Sequence, residues 1–485
     1  MKKTAFFISE TKGFSSFFLI VICCIVVLSI HLFTISTSPI IWQDEVQIVD
    51  LGHNLLSPDD PSSIVYLNSG RKVLPQYSYW GASLHELCYR TFKCFFSHRI
   101  CSIVFFIFIP LACFLWLRSV CQSNAIAVIC SLLLLFDPQL TQSARGGRCD
   151  SEALFFLFLA AFFLEHGIQH IEDGKFIIPF FLSGFCLICG FSFWITSAFT
   201  IFFWMAYVIS ATLRLRMSTT SILQSIFWGL LGVVTALLLS MMLYKGEITY
   251  MFSSPSYQQS ALCLSNLRKI YKFPNAFRFS PHIFAGLFLF FAMRKKWLWG
   301  SACAMTIFLM AFTPVYIHRM HYLYPFSILF IACFLKKYDF ISKKIWRRAI
   351  IIYLITCFTY TVIGRTVITI LTHNKRNVNF LSQAFKQSKI SSSRHASVYL
   401  DSFGLYFIVR EMGLKYYCLA DKTDSSHVAD FIFANDIDYI VSQEKHLSKL
   451  LSEKYTLSEI LKCKATNYGT YYLFEKKHSH SEPPH

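Results

Sequence analysis

Apolar runs separated by short polar segments fill the first 370 residues or so, beginning with "FSSFFLIVICCIVVLSIHLF" at 14–33. Runs of spanning length or slightly under predict about 11 helices. They fall near 15–36, 99–118, 122–137, 151–168, 176–192, 194–212, 222–244, 281–293, 297–314, 318–335 and 347–371. From about Ser391 the pattern changes: through "ASVYLD", "SFGLYFIVREMG", "KYYCLA", "HVADFIFAND", "IDYIVSQ", "EKHLSKLLSEKY", "TLSEILKC" and "YGTYYLFEKK", strand-length β-branched and aromatic runs interleave with helical ones. The expected organisation is a membrane domain over 1–372, a linker over 373–390, a small water-soluble α/β domain over 391–476, and a disordered tail over 477–485. The fold class is thus an α-helical polytopic membrane protein with a small C-terminal α/β domain.

Composition agrees with that pattern: the chain has 485 residues, 55% of them hydrophobic and only 15% charged, too apolar for an ordinary soluble protein. The formal charge of +18 would point to nucleic acid in a soluble protein. Here the cations sit in short loops between apolar runs, as the positive-inside rule demands, and nucleic acid drops out as a partner. With the amino terminus in the cytoplasm, the basic loops at Arg118, Lys175, Arg214, Lys295 and Lys336–Arg348 fall inside. That places 37–98, 138–150, 245–280 and everything beyond about 372 outside. Segment 245–280 breaks the rule with Arg268 and Lys269, which a phosphate-bearing ligand or anionic headgroups explain equally well. The 17 cysteines lie largely inside apolar runs and behave there as small hydrophobes; Cys186 and Cys189, mid-span and without a second pair, carry no metal or redox reading.

Ionisable groups gathered at span ends on one membrane face are the candidates for chemistry. Three clusters share the outer face: "WQDE" with Asp44 and Glu45, "SARGGRCDSEALFFLF" with Arg145, Arg148, Asp150 and Glu152, and "IHRMHYLYPF" with His318, Arg319, His321 and Tyr322. Each also has a plain structural reading. Asp44 with Gln47 has capping-box spacing, Asp150 is placed to cap the fourth span, and the tyrosines suit an aromatic belt. Between the first two spans, "DEVQIVDLGHNLL" and "GASLHELCYRTFKCFF" predict two helices lying at the interface within 38–98, joined by an extended loop.

These stretches resemble the membrane-embedded GT-C glycosyltransferases that use polyprenyl-phosphate sugars, in particular the dolichyl-phosphate-mannose-protein mannosyltransferase-like and aminoarabinose-transferase-like branch. The likeness runs over nearly the whole chain, through the "DE" pair after span one, "LPQYSYWGASLHELCYRTFKCFFSHR", "ARGGRCDSEALFFLFLA" and "HRMHYLYP". In the last of these, His318 and His321 stand at the family's basic positions. The resemblance implies an inverting transfer of a hexosyl or pentosyl group from a polyprenyl-phosphate donor to a protein, lipid or glycan acceptor at the outer face of a bacterial inner membrane. It makes Asp44 the general base, with Glu45 and Asp150 orienting sugar or acceptor, or binding a divalent cation where a member uses one. Arg145, Arg268, Lys269, His318, Arg319, His321 and Tyr322 are the implied substrate-binding groups. No cofactor is certain, and metal ligands are unknown. Two other classes compete: a transporter or flippase, which predicts charges near span midpoints and repeated halves, and a noncatalytic envelope scaffold, which would tolerate Asp44→Asn.

Overall fold

The computed structural model describes residues 2–37, 43–57, 79–94, 96–215, 218–244, 280–291, 297–311, 317–393, 396–417, 425–443, 451–462 and 469–477. Arg268, Lys269 and the tail 478–485 lie outside them, and at His318 and Arg319 only the backbone is described. The chain divides into two units: residues 1–32, 75–81 and 100–366 form the first, and 33–74, 82–99 and 367–485 the second.

The first unit is helical. Its elements are most of α1 (Lys2–Thr34), α4 (Ser97–Cys121), α5 (Asn124–Leu135), α6 (Pro138–Arg145), α7 (Asp150–Gln169), α8 (Ile177–Phe193), α9 (Ile201–Leu215), α10 (Thr219–Leu243), α11 (Pro281–Phe291), α12 (Trp297–Ala311), α13 (Tyr324–Lys337) and α14 (Lys344–Phe358). Among the described residues six helices are long and apolar enough to cross a membrane, or seven if α5 and α6, bent by 52° at their junction, are one span. The sequence pattern predicts about 11. Among the described residues α8, α11, α12 and α13 are apolar but 17, 11, 15 and 14 residues long, under the length that the count of six requires. Outward faces are hydrocarbon, as on α10, where Leu230, Leu238 and Met242 are 57%, 55% and 77% exposed. A surface like that suits lipid rather than water. Helices α8 and α10 cross closely because Gly184 and Gly232 lack side chains; a Cβ on either would meet a carbonyl oxygen of the other helix at 2.0 Å.

The bend after α5 comes from "FDPQL". Asp137 is the N-cap of α6, its Oδ1 accepting from the Gln139 and Leu140 amides at 2.9 Å, and Pro138 follows at the first helical turn. Residues 138–145, read as outer loop from the sequence, are therefore a short helix.

The second unit joins α2 (Gln43–Leu56) and α3 (Tyr79–Phe92), both predicted between the first spans, to most of α15 (Arg365–Leu371), α16 (His373–Arg376), α17 (Val378–Lys386) and a five-stranded mixed sheet. Its strands are β1 (Ser397–Leu400), β2 (Lys415–Tyr417), β3 (Tyr439–Ser442), β4 (Tyr455–Lys462) and β5 (Thr470–Lys476), in the order β2-β1-β3-β5-β4. The first three are parallel, with α18 (Tyr406–Glu411) and α19 (Ser425–Ala434) as crossovers; β4 and β5 close the edge as an antiparallel pair. Tyr399, Ile432, Ile440, Leu451 and Phe474 centre the core of this α/β layer.

Helix α2 is not the half-exposed interfacial helix that its amphipathicity predicts. Glu45 through Leu51 are each at most 1% exposed, and His53 and Asn54 are 5% and 6% exposed. Its apolar face meets α3 so closely at Gly52 that a Cβ would stand 2.1 Å from the Ala82 carbonyl oxygen. Its polar face is covered by residues of the C-terminal layer, described next.

Candidate functional site

Asp150 begins α7 and is completely buried. It does not cap the helix; Cys149 holds that position without a side-chain bond. Instead the carboxylate is gripped from three directions. Oδ2 accepts from Arg148 Nε at 2.8 Å and Ser143 Oγ at 3.0 Å, and Oδ1 accepts from the Tyr322 hydroxyl at 2.8 Å. His321 Nδ1 lies 3.9 Å from Oδ2, and the Arg148 guanidinium stacks over Trp194 at 5.3 Å. The 3₁₀ turn Ile317–Leu323 delivers His321 and Tyr322, while "GGR" returns the chain from α6 so that Arg148 faces the start of α7. Both Asp150 oxygens are thus taken by protein donors, one of them a guanidinium.

Two residues after Tyr322, Tyr324 performs the same service for a second buried acid. Asp137 accepts hydrogen bonds from the Tyr324 hydroxyl, from His282 Nδ1 at 2.9 Å and from Ser280 Oγ at 3.2 Å, besides the two amides it caps. Arg145, at the end of α6, is 1% exposed with Nη1 3.0 Å from His31 Nδ1. Glu152 accepts from Ser102 at 3.1 Å. The first unit therefore brings together Arg148, Asp150, His321 and Tyr322 from the sequence candidates, and adds Ser143 beside them and Asp137 as a second buried acid. The signal for Asp137 was legible as Asp-Pro directly after an apolar run, a helix-start signature.

In the second unit Asp44 and Glu45 share the first turn of α2 but not its environment. Asp44 lies within the helix rather than ahead of it, so the capping-box reading is replaced by a first-turn carboxylate beside the positive end of the dipole. It is half-buried. Glu45, by contrast, is fully buried: Arg99 binds it in bidentate fashion, Nε to Oε2 and Nη2 to Oε1 at 2.8 Å each, and His98 Nε2 adds 2.8 Å. Burial alone would push the Glu45 carboxyl up; the Arg99 charge and the His98 and Arg99 hydrogen bonds outweigh it and hold the group below the usual range. The His98 ring stacks on Phe407 at 4.6 Å.

Further along α2 the C-terminal layer closes over the polar face. Asp50 Oδ1 accepts from Tyr416 at 2.9 Å and Tyr406 at 3.2 Å. Burial pushes its pKa up to about 7, against the lowering effect of those hydroxyls and the Arg410 charge. One turn away Glu86 of α3 receives Arg90, Arg410 and His53. Burial would raise this acid too, but those partners bring it down to about 2. Arg410 also lies over the Tyr89 ring at 4.6 Å. Sequence inspection missed Asp50 and Glu86, because their partners lie 324 to 366 residues away.

No family model and no curated protein sequence matches the chain. Solved structures do. ArnT from Cupriavidus metallidurans bound to undecaprenyl phosphate superposes with a TM-score of 0.63 at 11% identity, covering 96% of this chain and 99% of that one. Its apo form gives the same TM-score at 12% identity. The archaeal oligosaccharyltransferase AglB from Archaeoglobus fulgidus, in complex with an inhibitory peptide and a dolichol-phosphate, gives 0.50 at 10% identity over 90% of this chain and 70% of that one. The shared architecture is the GT-C fold.

Proposed function

We propose that this membrane protein is an inverting glycosyltransferase that moves a sugar from a polyprenyl-phosphate-linked donor to an acceptor at the outer membrane face. One observation carries the reading: the fold matches, over nearly the full length of both chains, a protein whose structure holds undecaprenyl phosphate. The oligosaccharyltransferase with dolichol-phosphate adds a second carrier of the same chemistry on the same fold.

In this reading an acceptor nucleophile attacks the anomeric carbon, the bond to the carrier phosphate breaks, and configuration inverts. Asp44 takes the acceptor proton, a step worth about 10² to 10⁴ in rate. Its half-burial supports that role over Glu45, whose two oxygens are already engaged by Arg99 and His98. Glu45 then positions α2, and Asp150, held by three donors, orients sugar or acceptor. The leaving phosphate gathers charge that fixed cations stabilise. Arg145, His318, Arg319 and His321, with Tyr322 and the Arg268 and Lys269 pair, are assigned to it. The bacterial inner membrane, a cytoplasmic amino terminus and an outer α/β domain over 391–476 complete the proposal.

The test compares cells expressing wild type and Asp44→Asn at equal membrane levels, by mass spectrometry of glycans and lipids, and then the purified proteins with a radiolabelled polyprenyl-phosphate hexose. Wild type should release carrier phosphate and glycosylate an acceptor; Asp44→Asn should slow this by about 10² or more. Equal rates would remove Asp44 as the base. A topology reporter that finds residues 391–470 in the cytoplasm would overturn the assignment of faces.

A further inference from the structure

At the end of α7 away from Asp150 lies a second constellation that glycosyl transfer does not use. Fifteen residues along the helix, about 22 Å at 1.5 Å each, Glu165 is 2% exposed and lines a partly polar pocket of about 230 Å³. Its Oε2 accepts from Tyr207 at 2.7 Å, its Oε1 from Gln169 at 3.1 Å, and Arg214 Nη2 reaches both oxygens at 3.2 and 3.4 Å. Trp299 stands edge-on to Tyr207, and Trp116 donates to the Tyr207 hydroxyl at 3.0 Å. The Arg214 side chain is half exposed, and among the described residues it is bonded only through Nη2.

Directly across α9 is a second pocket of about 240 Å³ lined almost wholly by carbon, between α7, α8, α9 and α10. It exceeds the ~150 Å³ apolar cavity that accepts benzene. The two share Ala211, the smallest side chain on that stretch of α9, as a common wall. The apolar pocket opens on the hydrocarbon-facing surface, where Val208, Ile226 and Leu230 are 41%, 47% and 57% exposed. The polar pocket sits where α4, α7, α9 and α13 all end, α4 with Arg118 and α13 with Lys336 and Lys337 in the last turn. A guanidinium with exposed donors beside its Glu165 partner, basic last turns on α4 and α13, aromatic rings in the pocket wall and a carbon-lined slot that shares Ala211 make an amphiphile site: phosphate at one end, acyl chain at the other.

We propose that these paired pockets bind a membrane glycerophospholipid, its phosphate on Arg214 at the end of α9 and one acyl chain lying in the carbon-lined slot on the lipid-facing side of that helix. The charge complementarity and the opening toward lipid select this occupant over a soluble anion, which would leave the carbon slot unused. The inference is independent of the transferase reading, since none of its residues belongs to the Asp44 or Asp150 clusters.

Native mass spectrometry of the purified chain, delipidated and titrated with dioleoyl phosphatidylglycerol, tests it. Wild type should keep one lipid through collisional activation that strips the rest. Arg214→Gln should weaken retention by about 10-fold or more, as expected for a lost charged hydrogen bond, and Arg214→Lys should restore part of it. Ala211→Phe should weaken it by filling space that Ala211 leaves in the pocket walls; Arg347→Gln, on another helix end, should leave it unchanged. If Ala211→Phe fails to accumulate, the Arg214 pair decides. Retention equal in wild type and Arg214→Gln overturns the proposal. So does displacement of the lipid by glycerol 3-phosphate at the same concentration as by phosphatidylglycerol, which would make it a free-anion site.

Discussion

Asp50→Asn should make the second unit more stable at neutral pH, and the gain should be readable as a change in pH dependence. In the folded protein, burial shifts ionisation of Asp50 from 3.8 to about 7. At about 1.4 kcal/mol per pH unit, that difference of roughly 3 amounts to about 4 kcal/mol. The sign follows from the raised value. Below pH 3.8 Asp50 is protonated whether α2 is docked or released, so its contribution is full. Between pH 4 and 7 only the released form ionises, and stability falls by up to about 1.4 kcal/mol per unit. Above pH 7 the loss is complete. Asparagine cannot ionise, yet its Oδ1 still accepts from Tyr416 and Tyr406. Glu86, brought down to about 2, changes stability only between about 2 and 4.5, below this window. The assay is hydrogen exchange of α2 and of residues 397–417 in detergent from pH 5 to 8, corrected for intrinsic rate. Subtracting wild type from variant cancels groups common to both. The difference should grow with pH and level off above about 7. A flat difference, or a variant less protected at pH 8, would refute the account of Asp50 as a protonated buried acid.

Glu86→Gln should cost about 3–5 kcal/mol, because it leaves the Arg410 and Arg90 guanidinium groups without their counter-charge; faster proteolysis within residues 397–476 at unchanged expression reads it. Gly52→Ala should destabilise the α2–α3 crossing by about 1–3 kcal/mol or more, since the new methyl meets the Ala82 carbonyl; lowered exchange protection confined to α2 and α3 would show it. Tyr322→Phe removes one donor from Asp150, about 1 kcal/mol, and should lower kcat/KM of the proposed transfer about 5-fold with the thermal midpoint nearly unchanged.

Much of the helical bundle was legible because lipid imposes a simple rule on sequence: a helix facing hydrocarbon must be apolar for its length. The rule says nothing about where a helix bends or stops short, and there the reading lost accuracy, as at Asp137 and at the 3₁₀ turn that carries His321. The sheet layer was readable from strand-length alternation. The order β2-β1-β3-β5-β4 was not, because register and crossovers depend on pairings that no local pattern encodes. Among candidate residues, Asp150 with Tyr322 and His321 came together as a cluster. Glu45 illustrates the opposite case: adjacent acids look equivalent in a sequence, but a helix turns neighbours by 100°, so Glu45 is fully buried against Arg99 and His98 while Asp44 stays half-buried. Asp50 and Glu86 resemble an ordinary solvated helix face until Tyr406, Arg410 and Tyr416 are seen to cover them.

That covering has a consequence for how the chain is made. Helix α2 leaves the ribosome more than 340 residues before the tyrosines that satisfy Asp50, and α3 more than 310 before Arg410. Throughout insertion of the intervening spans Asp50 waits for its two tyrosines, and Glu86, already held by Arg90 and His53, waits for Arg410. A nascent chain interrupted after its last span would carry a nearly complete set of membrane helices and an α2 with an uncovered acidic face. Release of the segment that carries Tyr406, Arg410 and Tyr416, rather than insertion of the helices, therefore completes the burial of α2, and a premature stop codon between Leu371 and Tyr406 should leave α2 uncovered even though the membrane helices have been made.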